Sequence, residues 1–157
     1  MAEAPRVGIG FDVHRWSNAG DLWLGGVRFD GEPALEAHSD GDVVCHALAD
    51  ALLGAAALGD VGAHFPDDDP DIAGIAGTAL LSRVVALLEE VGCDPSSCDV
   101  TVVCDRPRIG PARDVMRERL ADVLGVPTER VSVKATRPEG LGLVGDGVGC
   151  LAVAVVS

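Results

Sequence analysis

The sequence predicts an α/β chain of the α+β type, a single compact domain with a mixed sheet and helices on one side. Three observations predict it. Residues Val7 to His14 alternate strictly between apolar and other positions, which is the period of a strand. Three longer segments carry helical spacing with recognisable starts and stops, and short β-branched runs separate them. The 157 residues, 48% of them hydrophobic, suit one core and not two.

In order along the chain, Val7, Ile9, Phe11 and Val13 are expected on one face of the first strand. Gly8, Gly10, Asp12 and His14 fall on the other, read as a polar face thinned by glycine. A second strand is expected over Leu22 to Phe29, broken by Gly25-Gly26, so that the chain opens with a hairpin. Ser39-Asp40-Gly41-Asp42 resembles a helix cap, with Ser39 as the capping hydroxyl of a helix that runs to about Leu58. Gly59-Asp60-Val61-Gly62 breaks it, and Phe65 to Pro70 reads as an irregular loop. A second helix over Thr78 to Val91 stops at Gly92, and a third over Arg113 to Leu124 stops at Gly125. Strands are expected at Val100 to Cys104, Val131 to Ala135 and Gly149 to Val156, the last reached through a glycine-rich turn over Gly140 to Gly147.

Composition excludes several function classes. A formal charge of −13 leaves no basic surface for nucleic acid, whose phosphates require clustered Lys and Arg. No stretch approaches the ~20 apolar residues that span a bilayer, and the start, MAEAPRVGIG, lacks a basic segment followed by an apolar run, so a cytoplasmic protein away from membranes is expected. Cys45, Cys93, Cys98, Cys104 and Cys150 form no Cys-x-x-Cys pair, and their odd number fits free, small core side chains.

The chemistry concentrates near the N-terminus. Asp12 and His14 lie two apart on a strand and leave the same face, as two ligands of one metal must. His46, on the following helix, offers a third ligand; three protein ligands and an open position are the pattern of a catalytic zinc site. Asp42, His46 and Asp50 are spaced by four, so either carboxylate is a candidate to orient the imidazole. His38-Ser39 precedes a helix, where free amides favour phosphate. Asp60 and the acidic run Asp67-Asp68-Asp69 are candidates for hydroxyl groups or a hard cation, although acidic loops are more often simply solvated. At this level a zinc phosphodiesterase or phosphatase using water, and a non-catalytic nucleotide-binding module, both remain open.

Longer motifs carry a resemblance. Phe11-Asp12-Val13-His14-Arg15, then His38-Ser39-Asp40-Gly41-Asp42 with His46 and Asp50, the run Ala51 to Asp60, Phe65-Pro66-Asp67 to Pro70, and Val133-Lys134-Ala135-Thr136 with Glu139 and Leu141-Gly142 resemble the 2-C-methyl-D-erythritol 2,4-cyclodiphosphate synthase family almost end to end. The resemblance implies a homotrimer with active sites between subunits and a small CDP-linked sugar-alcohol phosphate as substrate. It implies Zn2+, or another divalent transition metal, at Asp12, His14 and His46, and Mg2+ or Mn2+ at Glu139. It implies that His38 and Ser39 meet the methylerythritol phosphate end, and that Asp12, Val13 and His14 lie beside it. Asp60, Val61 and Gly62, with Phe65, Pro66, Asp67, Asp68 and Asp69, would line the same substrate site. Cys104, Asp105, Arg106, Pro107, Arg108, Ile109 and Gly110 would hold the cytidine, while Thr136, Arg137, Pro138 and Glu139 would meet the diphosphate. His38, Thr136 and Arg137 are the residues assigned to catalysis.

The chain departs from the family pattern in places. Where the family has a run of threonines after Lys134-Ala135, this chain has Thr136-Arg137-Pro138, so a guanidinium stands where a hydroxyl is usual. Ala112 occupies a place where histidine is common. On the expected threefold axis, where family members can hold an isoprenoid diphosphate, Leu143, Asp146 and Val148 stand where Phe, Arg and Glu are typical. Converging Asp146 carboxylates are expected to repel such a ligand, with Leu143 and Val148 keeping the wall apolar.

Overall fold

The structure, a computed structural model, describes residues 4–157. Strand β1 (Arg6–Ser17) is followed by a hairpin of β2 (Leu22–Leu24) and β3 (Val27–Phe29), a short β4 (Ala34–Leu35) and the central helix α1 (Val43–Ala55). A one-turn helix α2 (Val61–His64), helix α3 (Gly77–Glu90), strand β5 (Pro95–Val103), helix α4 (Arg113–Leu124), strand β6 (Val131–Thr136) and strand β7 (Gly147–Val156) complete it. The main sheet has the order β4-β1-β7-β5-β6; β5 and β6 are parallel and the other pairs antiparallel. Helix α1 lies on β1, β7 and β5, α3 packs on α1, and α4 packs on β6 and α3, so the sheet is mixed with its helices on one side, as expected. Among the described residues no helix is long and apolar enough to cross a membrane.

The first strand corrects the sequence reading. Its glycine-bearing face is the buried one: a Cβ on Gly8 would sit 1.9 Å from the Ala51 carbonyl oxygen, and one on Gly10 would sit 1.9 Å from that of Ala47. Strand and helix therefore touch backbone to backbone, which only glycine permits. The apolar alternates Val7, Ile9, Phe11 and Val13 are instead 65%, 68%, 44% and 42% exposed, on the face that carries no helix. Strict alternation identifies two faces without saying which one a helix covers.

Helix α1 is apolar nearly all round, with Val43, Val44, Cys45, Ala47, Leu48, Ala49, Ala51, Leu52, Leu53 and Ala55 buried, as befits a helix enclosed by sheet and α3. Its cap is Asp42, not Ser39. Asp42 is fully buried, and its carboxylate accepts hydrogen bonds from the Val44 and Cys45 amides at 3.1 Å each and from the Gly25 and Gly26 amides at 2.8 Å each. Four N–H donors converging on one carboxylate replace the water lost on burial. Gly25 and Gly26, with φ of 60° and 74°, form the tight turn of β2 and β3, so the expected break is a hairpin turn in a two-stranded sheet of its own. Ser39 accepts a hydrogen bond from the Gly41 amide in the loop before the helix.

Other boundaries moved for local reasons. The segment expected only to break α1 holds a turn of helix, because Asp60 caps it by accepting from the Ala63 amide at 2.9 Å. Strand β5 begins at Pro95 and not Val100, since Ser97 to Asp99 pair with β7 despite their polarity. Helix α4 matches the sequence reading end to end, closed by Gly125 in the left-handed conformation at φ 68°.

Candidate functional site

Helix α1 runs back along β1, and their glycine contacts set the register between them. Gly8 meets Ala51 and Gly10 meets Ala47; two residues further along the same face, Asp12 emerges beside His46. His46 Nδ1 lies 3.1 Å from Asp12 Oδ2, and His14 Nε2 lies 2.9 Å from the same oxygen. One donor atom from each of the three residues falls within 4.8 Å of the others, a grouping compact enough for a single ion.

The remaining ring nitrogens are already engaged. His14 Nδ1 is 2.7 Å from the Glu36 carbonyl, to which it donates, and His46 Nε2 is 3.1 Å from Ser39 Oγ. The nitrogens facing Asp12 donate to its carboxylate here, and on loss of that proton the same outer contacts would leave them free to offer a lone pair to a metal, the support that metal-binding imidazoles require. Neither Asp42 nor Asp50 orients His46, contrary to the sequence expectation: Asp42 is committed to four amides, and Asp50 accepts from the Val61 amide at 2.8 Å. Spacing by four placed them on the right helix but did not show that backbone amides would claim them first.

Electrostatics reinforce the grouping. Burial alone would raise the Asp12 carboxyl, yet hydrogen bonds and charge from His14 and His46 outweigh it and bring it down to about 2. The hydrogen bond to Asp12 raises the His14 imidazole, against the effect of its burial. Asp50 is raised, chiefly by burial.

These three residues open into a cleft of about 630 Å³. His38, Ser39, Val61, Gly62, Phe65 and Asp67 line it too, so most of the residues assigned to the phosphate end lie together. Asp60, Pro66, Asp68 and Asp69 do not line it; Asp60 caps α2, and the Asp69 carboxylate accepts from the Asp71 amide. Sequence reasoning gave Glu36 and Ala37 no part in the site, although they immediately precede His38 and line the cleft.

A second cleft, of about 320 Å³, gathers Cys104, Asp105, Pro107, Arg108, Ile109 and Gly110 with Ala135, Thr136 and Arg137. Adjacency of β5 and β6 explains it, since both end there in parallel and the Cys104 amide donates to the Thr136 carbonyl at 3.1 Å. Pro107 and Ile109 point into the protein while Arg108 faces outward. Arg106, Pro138 and Glu139 stand outside the lining, and Glu139 occupies a left-handed turn position at φ 52°. The two clefts share no lining residue. Three strand spacings, roughly 14 Å, separate β1 from β6.

Val13, Leu143 and Asp146 fall in a third cleft, of about 270 Å³, on the helix-free face. Two features differ from expectation. Val148 is fully buried beneath the sheet and forms none of its wall, and Arg15 lines it beside Asp146, so the cleft carries charge of both signs.

Comparison with known proteins agrees with this architecture. A 2-C-methyl-D-erythritol 2,4-cyclodiphosphate synthase of Symbiobacterium thermophilum is 53% identical over 153 residues, covering 96% of this chain and 98% of that protein. A solved 2C-methyl-D-erythritol-2,4-cyclodiphosphate synthase in a CDP-bound form superposes with a TM-score of 0.88 at 34% identity, covering 97% of this chain and all of that one. The bifunctional IspDF of Campylobacter jejuni gives a TM-score of 0.92 at 35% identity; 98% of this chain is covered, but only 42% of that longer one. The YgbB family model matches residues 5–157, so with its mixed sheet, its Asp12/His14/His46 grouping and these relatives the chain belongs to the YgbB family.

Proposed function

We propose that the chain, acting as one domain over residues 1–157, is a phosphorus-oxygen lyase of isoprenoid-precursor synthesis. It converts 4-diphosphocytidyl-2-C-methyl-D-erythritol 2-phosphate into 2-C-methyl-D-erythritol 2,4-cyclodiphosphate and CMP. The observation that carries the reading is the convergence of Asp12 Oδ2, His14 Nε2 and His46 Nδ1 in a cleft, within a chain of this family. An oxygen of the 2-phosphate attacks the β-phosphorus and forms the new P–O bond, while the bond from that phosphorus to the bridging oxygen breaks and the oxygen leaves with CMP. No water is consumed and no protein nucleophile is needed.

Two imidazoles and one carboxylate, with the outer nitrogens already hydrogen-bonded, suit Zn2+ or another divalent transition metal. Such an ion supplies charge neutralisation where two anionic phosphates are forced together. Asp12, His14 and His46 would hold it, with Ser39 and the Glu36 carbonyl orienting the two rings. His38 and Ser39 bind the phosphate end. Glu139 is the carboxylate that would hold Mg2+ or Mn2+, which would supply charge neutralisation at the diphosphate.

The nucleotide belongs in the cleft of Cys104 to Gly110, with Arg108 and Arg137 facing the diphosphate. A homotrimer accounts for two observations together: the half-sites are separate within one chain, and Val7, Ile9, Phe11, Val13, Leu151 and Val153 form exposed apolar rows on the helix-free face. Association there would bring the metal-binding cleft of one subunit to the nucleotide cleft of the next. The cleft of Val13, Arg15, Leu143 and Asp146 would then approach the threefold axis, with Arg15 offsetting the repulsion expected from Asp146 alone.

Product identification tests the reaction. Incubation with the CDP-linked 2-phosphate and divalent metal should give CMP and a cyclic diphosphate by phosphorus NMR; CMP with a linear diphosphate would mean that water is the nucleophile and the chain a hydrolase. Arg137 is exposed and lines the nucleotide cleft, and among the described residues no carboxylate pairs with it. Arg137→Ala should raise the barrier by about 2–4 kcal/mol, the range for one preformed charge-stabilising donor. Unaltered kcat/KM would show that the guanidinium stands idle.

A further inference from the structure

We infer that Arg106 is a positioning residue, held by Trp16 and Glu32 so as to fix the loop that binds the nucleotide. The inference rests on the placement of the nucleotide in the second cleft.

Within Cys104 to Gly110 the two arginines part company. Arg108 lines the cleft, whereas the Arg106 guanidinium turns away and lies 5.5 Å from the Trp16 ring centroid, over its face. Arg106 Nε is also 3.4 Å from Glu32 Oε2. That oxygen is shielded from solvent and has no hydrogen bond, so the guanidinium is the cation that answers its charge. Trp16 stands at the end of β1 and Glu32 just before β4, so the loop is tethered to chain segments outside its own strands.

The loop backbone is anchored by the Cys104 amide, which donates to the Thr136 carbonyl at 3.1 Å, and by buried Pro107 and Ile109; the Asp105, Arg106 and Arg108 side chains are exposed, so Trp16 and Glu32 are what restrain the Arg106 guanidinium. Arg106 and Arg108 flank Pro107, so fixing the first limits where the second can point. The same five-residue segment that begins with Glu32 ends with Glu36, whose carbonyl holds the His14 ring. The brace thus anchors the nucleotide loop on chain already pinned at the metal-binding cleft.

Trp16 and Glu32 would not touch the nucleotide, so weakening the brace should lower nucleotide affinity while leaving the chemical step alone. The test measures CMP affinity by calorimetry, kcat and KM for the CDP-linked substrate, and bound metal, on the full chain. Losing one such contact is expected to weaken CMP binding by up to about fivefold and to raise KM in step. Glu32→Gln and Trp16→Ala should both show this with kcat and metal content unchanged, and Trp16→Phe, which keeps an aromatic face, should bind nearly as wild type. Glu32→Gln removes only a charge, so its result stands even if the Trp16→Ala chain folds poorly. Arg108→Ala separates the two layers of the reading. If it weakens CMP binding while Glu32→Gln and Trp16→Ala do not, the brace is refuted and the cleft stands. If Arg108→Ala also leaves CMP affinity intact, the nucleotide lies elsewhere and the brace falls with it.

Discussion

His46→Ala is expected to reduce turnover at least about a thousandfold and to strip the protein of bound transition metal, with the helical circular dichroism retained. The expectation follows from geometry: Asp12, His14 and His46 each present one donor atom, and removing one leaves two ligands. His46 sits on a helix whose other positions supply the packing, so the fold should survive. Ser39→Ala gives a graded comparison. It removes the partner of His46 Nε2, 3.1 Å away, together with the acceptor of the Gly41 amide, while all three metal ligands stay, and should lower metal affinity by roughly 10- to 100-fold without abolishing it. Elemental analysis beside a product assay decides the matter: a His46→Ala protein that kept its metal and its activity would leave the proposed site without its third ligand.

Gly10→Ala, like Gly8→Ala and Gly147→Ala, should be among the most damaging single methyls that can be added to the chain. Its Cβ would lie 1.9 Å from the Ala47 oxygen and 2.8 Å from the Ala51 nitrogen, all backbone atoms that no rotamer change can move aside. Separating β1 from α1 disturbs the packing of the central helix on the sheet, and a loss of about 3–5 kcal/mol of stability is expected. For a chain of this length that corresponds to a fall in Tm of roughly 10 °C or more. The displacement also carries His46 away from Asp12, so metal affinity should fall in whatever fraction still folds. Gly54→Ala, on the same helix, is the contrast. Nothing lies nearer than 4.0 Å to its added methyl, and the change should be neutral or stabilise the helix by up to about 1 kcal/mol. Thermal melts of the two variants side by side would test the close-approach argument, and equal melting temperatures would sink it.

What could be read from the sequence depended on whether the signal was local. Helix α4 was legible from end to end because Gly125 closes it through its own backbone conformation. Asp12 and His14 were legible as a pair because a strand's period puts them on one face. The direction of that face was not legible: alternation in β1 looks the same whether a helix covers the glycines or the valines, and only the approach of α1 decides. Capping failed similarly. Ser39 and Asp42 are both good caps by type, and the choice fell to Asp42 because its carboxylate also meets a hairpin turn seventeen residues earlier in the chain. Strand β4, two residues long, leaves no periodic trace. Arg106 and Arg108 are indistinguishable by sequence within one loop; that one lies on Trp16 and the other lines the cleft depends on chain distant from both.

The shared acceptor at Asp42 also bears on how the molecule opens. Gly25 and Gly26 belong to a two-stranded hairpin, an element that on its own frays readily in water. Val44 and Cys45 belong to the first turn of the most deeply enclosed helix, and all four amides donate to one carboxylate. None can be released to solvent by a motion of the hairpin alone without uncovering a buried charge. Their hydrogen–deuterium exchange should therefore be slow and should proceed as a set, with opening free energies close to that of global unfolding. The turn of the hairpin, peripheral by position, would exchange like the centre of the protein.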